Sequence, residues 1–164
     1  MRKQKGFSLI ELLIVVAIIL IIAAIAIPNL LRSRIAANEA SAVGSLRTIN
    51  TAEVTYAATY PAQGFATALS VLGGTGTSAS STTALLLDNV LGGAAGSSSS
   101  APNVKSGYNF WVTASGAQPV PTYTSNGNPV TPQQTGVRYF YSDASGVIRY
   151  NTTAQATSTD NPLQ

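Results

Sequence analysis

The sequence contains no cysteine and no histidine. Without cysteine there is no disulfide framework, thiolate nucleophile or zinc-thiolate site, and without histidine there is no imidazole base, catalytic triad or ordinary transition-metal site. The chain has 164 residues, about one domain's worth. We therefore predict that it is not an enzyme and that it holds no cofactor or metal.

Charge is also scarce. Only 9% of the residues are charged, against about 25% in an ordinary soluble domain. The formal net charge of +3 comes from Arg2, Lys3 and Lys5, and the remaining basic and acidic side chains balance without forming a patch. The sequence therefore shows no surface for binding nucleic acid.

A long apolar run lies near the N-terminus. From Phe7 to Ile27 the only polar residues are Ser8 and Glu11, and as a helix this run is about 31 Å long, enough to cross a bilayer. Basic residues precede it, and Arg32 and Arg34 follow it. The excess on the short N-terminal side favours a cytoplasmic N-terminus. The run therefore predicts a single membrane span with the N-terminus in the cytoplasm.

Glu11 does not fit a plain membrane span. An unpaired carboxylate at that depth costs about 2.5 to 3.5 kcal/mol and marks a functional residue by default. No lysine or arginine lies within a helical turn on its apolar side. We expect its partner to come from outside this segment.

The residues around Glu11 carry a family resemblance. Lys5-Gly6-Phe7-Ser8-Leu9-Ile10-Glu11, followed by small or apolar residues from Leu12 to Ile25, resembles the prepilin signature of type IV pilins and type II secretion pseudopilins. The resemblance implies that a peptidase cuts after Gly6 and methylates Phe7. It also implies that Glu11 neutralises the terminal amine of a neighbouring subunit.

The same resemblance implies partners and a location. The chain would leave inner-membrane lipid for a homo-oligomeric helical filament, helped by the prepilin peptidase, a membrane assembly platform and its ATPase. It would end in an extracellular pilus or a periplasm-spanning pseudopilus. A type II secretion pseudopilin or a minor pilin shares this N-terminus and stays an alternative.

Three other readings stay open. Ala24-Ile25-Ala26 offers an ordinary signal-peptidase pattern, and the length alone also fits a simple membrane anchor. A membrane-tethered binding module, whose globular part alone carries the function, is the candidate from a different class.

The helix is predicted to continue to about Tyr60. Pro28 removes a backbone donor, so it should kink or locally melt the helix without ending it. Beyond it, apolar residues recur on one face at helical spacing: Ile35, Ala42, Val43, Leu46, Ile49, Val54, Tyr56 and Ala57. Three polar residues interrupt that face, and we expect solvent-edge positions or intersubunit contacts with Arg32, Arg34 or Arg47 for them: Glu39, Asn50 and Glu53.

The remainder predicts a small antiparallel sheet of three or four strands, with strands at Tyr108–Thr113, Arg138–Ser142 and Val147–Tyr150. A short helix over Phe65–Leu72 precedes a loop over Gly73–Ala101, in which Ala84–Leu91 docks as a helical turn or short strand. Gln118–Pro132 is predicted to be a long loop, and Thr152–Gln164 a poorly ordered polar tail.

The predicted fold class is α+β, a long N-terminal helix packed on the antiparallel sheet in a pilin-like arrangement. We divide it into a leader (residues 1–6), a transmembrane or filament-core helix (7–28), an amphipathic half (29–60) and a globular head (61–164). Many type IV pilins close the C-terminal region with a disulfide, which this chain cannot form. That region must be held by packing, main-chain pairing or an ion.

Some Asp and Asn residues offer oxygen ligands for calcium, but without the spacing of a calcium loop, so turn formation is favoured for them: Asp143 with Asn151, Asp88 with Asn89, and Asp160 with Asn161.

Overall fold

The structure, a computed structural model, describes residues 6–74, 76–93 and 95–163. The chain divides into two units, Met1–Arg34 and Ile35–Gln164, and each is described by itself. The second unit is called the head below. The predicted leader, apart from Gly6, lies outside the described residues, as do the basic residues Arg2, Lys3 and Lys5.

The first unit is helical from Leu9 onward. Helix α1 spans Leu9–Thr59 and has Pro28 in its interior, so the proline does not end it. Every described side chain from Gly6 to Arg34 is exposed except the half-buried Ala23. The helix is long and apolar enough to cross a membrane, as the hydrophobic run predicts.

Within the head, the remaining part of α1 buries one face. Ala42, Leu46, Ile49 and Tyr56 lie in the core, at the three- and four-residue spacings that a helix places on one side. Val54 was predicted on this face, and that is wrong: it is 61% exposed. It follows Glu53 directly, and a one-residue step turns about 100° around the helix.

The sheet has six strands, more than the three or four predicted. They are β1 (Asn103–Lys105), β2 (Tyr108–Ala114), β3 (Tyr123–Pro129), β4 (Tyr139–Asp143), β5 (Arg149–Asn151) and β6 (Asn161–Pro162). Each pairs antiparallel with the next, in the order β1-β2-β3-β4-β5-β6. The α+β class is confirmed.

Strand β3 lies where a long loop was predicted, so that prediction is wrong. Local sequence favoured a loop because β3 contains Ser, Asn, Gly and Pro, which are not strand formers. The register places Gly127 opposite Phe110. A Cβ at position 127 would lie 3.1 Å from the ring of Phe110 and 3.6 Å from Leu46, so glycine makes room for the core between helix and sheet.

The connection between α1 and β1 is mostly irregular, as its composition predicts. Helix α2 covers Leu69–Leu72, shorter than the predicted Phe65–Leu72. The segment Ala84–Leu91 docks through buried Ala84, Leu87 and Leu91, but it is neither helix nor strand. Its main chain bonds to residues of α2 instead, as in the Leu86 N–H donating to the Leu72 carbonyl at 2.7 Å.

The C-terminal segment is not a poorly ordered tail. Strand β6 pairs with β5, and the Leu163 N–H donates to the Ile148 carbonyl at 2.8 Å. Between these strands Ala156 is buried, and Gln155 Nε2 donates to Asn126 Oδ1 at 3.2 Å. Packing and main-chain pairing therefore hold this region without a disulfide.

Candidate functional site

The Gly6–Phe7 peptide bond is open to solvent. Both residues are exposed, no described atom lies within 4 Å of a Cβ built on Gly6, and Phe7 is 79% exposed. The helix begins two residues later, at Leu9. The Gly6–Phe7 bond therefore lies outside the helix and is uncovered by the described residues.

Glu11 has a partner inside its own segment, which the sequence reasoning did not find. The Ser8 N–H donates to Glu11 Oε2 at 2.9 Å. Ser8 precedes the first helical residue, so Glu11 stands at the third helical position and satisfies an amide that the helix leaves without a partner. The Ser-x-x-Glu spacing, which is typical of a capping box, could have predicted this contact from the sequence.

The hydrogen bond from Ser8 does not balance the negative charge of Glu11. The partner is a neutral amide, and neither ion pair among the described residues, Lys105–Asp88 and Arg138–Glu39, includes Glu11. The helix N-terminus also favours a carboxylate at this position. A cationic group could approach the Glu11 carboxylate, which stays exposed.

Around Glu11 the helix surface is apolar on every side. The large side chains from Leu9 to Leu31 are between 44% and 72% exposed. A contiguous exposed apolar surface of this extent is unfavourable in water for a monomer, so lipid or other helices must cover it. Gly6, Phe7 and Glu11 lie together at the start of this surface, whereas Pro28 lies near its other end.

Glu39 is a buried anchor, and its predicted place at a solvent edge is wrong. It accepts the main-chain N–H groups of Val137 (2.8 Å) and Arg138 (3.1 Å), and Arg138 Nε donates to it at 2.7 Å. Burial raises the pKa of Glu39, but these bonds from Val137 and Arg138 outweigh burial, and the net pKa is lowered. Glu39 thus ties α1 to the start of β4 as a carboxylate.

Glu53 was also predicted to lie at a solvent edge, and that prediction is wrong. Its pKa is shifted in the opposite direction to that of Glu39. Its side chain is 0% exposed, and the Ala66 N–H donates to its Oε2 at 2.8 Å. Its other oxygen has no hydrogen-bond partner among the described residues. Burial raises its pKa to about 8, against a smaller lowering by the Ala66 bond.

Asn50 also has hydrogen-bond partners within the head. It donates to Ser142 Oγ at 2.8 Å and accepts from the Tyr123 hydroxyl at 3.1 Å. The helical spacing of the sequence could have placed all three polar residues on the core face of the helix. Glu39 and Glu53 stand three or four residues from buried Ala42, Ile49 and Tyr56, so they belong to the core face.

The Asp and Asn pairs act as turn formers. Asp143 Oδ1 accepts from the Ser145 N–H at 2.9 Å, Asp88 Oδ1 from the Leu91 N–H at 2.7 Å, and Asp160 Oδ2 from the Thr157 N–H at 2.7 Å. Within the ranges that the structure covers, no cluster of three or more acidic side chains could hold a metal ion.

The fold and the N-terminal segment together define a class of protein. It has an α+β unit, an apolar helical segment before it that is able to cross a membrane, and an uncovered Gly6–Phe7 bond before that helix. Residues 1–27 match the model of the prokaryotic N-terminal methylation motif. Two relatives match over part of this chain.

The type IV wide pilus major component PilA4 of Thermus thermophilus is 67% identical over 39 residues, which are 24% of this chain and 30% of that protein. The type IV major pilin protein PilA of Myxococcus xanthus is 44% identical over 54 residues, 33% of this chain and 24% of that protein. The matches thus cover less than a third of each relative. No solved structure gives a significant match.

The chain thus carries the prokaryotic N-terminal methylation motif and is similar, over part of its length, to type IV pilins. Both relatives carry names of structural pilus subunits, in line with the prediction that this chain is not an enzyme.

Proposed function

We propose that the chain is a structural subunit of a type IV pilus-like filament. It is made as a precursor in the inner membrane, with residues 1–6 as the leader, and a prepilin peptidase cleaves it after Gly6 and methylates Phe7. The helix over residues 7–28 then moves from lipid into the filament core. An assembly platform and its ATPase supply the work, and the filament lies outside the cell.

The observation that carries this proposal is the exposed apolar surface of α1 from Leu9 to Leu31, most of which lies within the methylation motif of residues 1–27. Lipid and a bundle of identical helices are both apolar, so transfer between them gains little from water exclusion. Close packing and specific polar contacts must select the assembled state.

Glu11 is the polar contact available within this surface. Cleavage after Gly6 creates a cationic amine on Phe7, and an ammonium and a carboxylate are each expensive in an apolar environment unless paired. A Glu11 carboxylate facing the Phe7 amine of a neighbouring subunit would fix the axial register. The Ser8 N–H uses one Glu11 oxygen, so the other is available to that amine.

Substitution of Glu11 tests this role. Glu11→Gln keeps an oxygen that can accept from the Ser8 N–H but removes the charge, whereas Glu11→Ala removes both. We expect both variants to reach the membrane and be cleaved, but to yield few or no filaments in a sheared surface fraction. Normal filament yield from Glu11→Gln would contradict the charge-pairing role, and from both variants would contradict the assembly role.

The alternative is a type II secretion pseudopilin or a minor pilin, which shares the N-terminal motif. Minor subunits that cap a filament often replace the acid, so the presence of Glu11 favours a position inside a filament. A membrane-tethered binding module is the less favoured candidate. It predicts that Glu11→Ala leaves function intact, because only the head would matter.

A further inference from the structure

We propose that an open cleft of the head, beside β5 and β6, binds a small ligand through a carboxylate group. The cleft has a volume of about 410 Å³ and is lined by Arg138, Tyr150 and residues 161–163. It has no part in the assembly proposal. Its volume suits a ligand the size of a monosaccharide or an amino acid.

The guanidinium of Arg138 is held in place before any ligand arrives. Its Nε donates to Glu39 Oε2 at 2.7 Å, and its Cζ lies 5.5 Å from the ring centre of Phe140 and 5.7 Å from that of Tyr150. A fixed guanidinium loses less side-chain entropy on binding than a mobile one.

The terminal nitrogens of Arg138 are available to a ligand. Nη1 and Nη2 donate to no residue in the part of the chain that the structure describes, and the Arg138 side chain is 36% exposed. Tyr150 and Asn161 line the same cleft, and their side-chain polar atoms bond to no described residue. The lining thus combines one fixed cation with two neutral polar residues, which is the usual composition of a ligand site.

The charge balance favours a carboxylate over a phosphate. The planar fork of arginine matches both groups, but Glu39 already balances the charge of Arg138 and is held as a carboxylate. A phosphate dianion would meet repulsion from Glu39 in a cleft with no second described cation in its lining. A monoanion with planar oxygens meets about half of that repulsion.

The test uses the full chain in non-ionic detergent micelles and three probes. Glucuronate carries the carboxylate, glucose has the same ring without it, and inorganic phosphate is the competing anion. We expect glucuronate to give saturable NMR shifts of the main-chain amides of Tyr150, Asn161 and Leu163, glucose to give none, and phosphate to bind more weakly. Absence of saturation, equal binding of glucose, or tighter binding of phosphate would overturn the proposal.

Matched variants locate the site. Tyr150→Phe removes one neutral hydrogen bond and should weaken glucuronate binding roughly threefold to tenfold. Arg138→Lys keeps the charge and loses the fork, and we expect a loss of tenfold or more. Arg47→Lys alters an arginine of a different cleft and should leave the affinity unchanged. If Arg138→Lys does not fold, an unchanged affinity in Tyr150→Phe still refutes the site.

Discussion

Glu39 and Glu53 are two buried carboxyl groups of the same helix face that respond to pH in opposite directions. Glu39 has three donors on its oxygens, and its pKa is lowered. Glu53 has one donor and an oxygen without a described partner, and its pKa is raised to about 8. The number of hydrogen bonds offered to each carboxylate decides the direction.

Glu53 should make the head less stable as pH rises. Between its ordinary value of 4.5 and about 8, the folded state binds the Glu53 proton and the unfolded state releases it, so the free energy of unfolding falls with rising pH across this window. The loss should be on the order of 5 kcal/mol. Urea unfolding at pH 5, 7 and 9, followed by the fluorescence of Trp111 in detergent micelles, measures it.

Glu53→Gln is the control for this prediction, since it is isosteric and does not titrate. The difference in unfolding free energy between the variant and the original chain should vary with pH through the same window. A constant difference from pH 5 to pH 9 would show that Glu53 does not take up a proton on folding.

Glu39→Gln should destabilise the head by roughly 2 kcal/mol at neutral pH, because Arg138 and two main-chain amides lose a charged acceptor. In the original chain this contribution is present above pH 4.5 and is lost as pH falls and Glu39 is protonated. Asp88→Asn is the matched control: its ion pair with Lys105 is half-exposed and should contribute less than about 1 kcal/mol. Equal effects in the same unfolding experiment would contradict the anchoring role of Glu39.

At the scale of elements, the strands that sequence predicted are those with aromatic and β-branched residues, namely β2, β4 and part of β5. Strand β3 could not be predicted, because its pairing depends on neighbours on both sides and on the space that Gly127 leaves for Phe110. Such tertiary packing overrides local strand preference. Strand β6 was missed for a different reason, since its two residues are too few to give a pattern.

The segment between β5 and β6 should depend on Asp160. Its carboxylate accepts from the Thr157 N–H and hydroxyl and from Asn151 Nδ2. Asp160→Ala should therefore speed limited proteolysis between Asn151 and Asp160. Ser158→Ala changes a neighbouring side chain that makes no hydrogen bond within the described part of the chain, and it should leave the cleavage rate as it was. Equal cleavage rates in the two variants would contradict this role of Asp160.

Pro28 should be the weak point of α1 on assembly. The helix passes through it, but proline supplies no N–H and its ring crowds the preceding turn. We predict local melting of the helix near Pro28 in the filament, visible in a filament map as a break in helical density between Leu20 and Leu31. Continuous helical density there would contradict the prediction, and Pro28→Ala should restore continuity.

At the scale of the molecule, the head buries its own core, whereas α1 from Leu9 to Leu31 leaves its apolar surface uncovered. The sequence predicted this contrast, because an unbroken apolar run and an amphipathic helix differ in composition. It did not predict which polar residues serve the head: Glu39, Asn50 and Glu53 were assigned to edges or other subunits, and the structure gives them partners within the head.

The central claim is that the chain is processed after Gly6 for assembly through α1. The most direct test is mass spectrometry of the N-terminal peptide of the mature protein, recovered from a sheared surface fraction of its native host. We predict a peptide that begins with N-methylated Phe7. An N-terminus at Ile27 would mean ordinary signal-peptidase cleavage, and a retained Met1 would mean a plain membrane anchor. Either result would contradict the account.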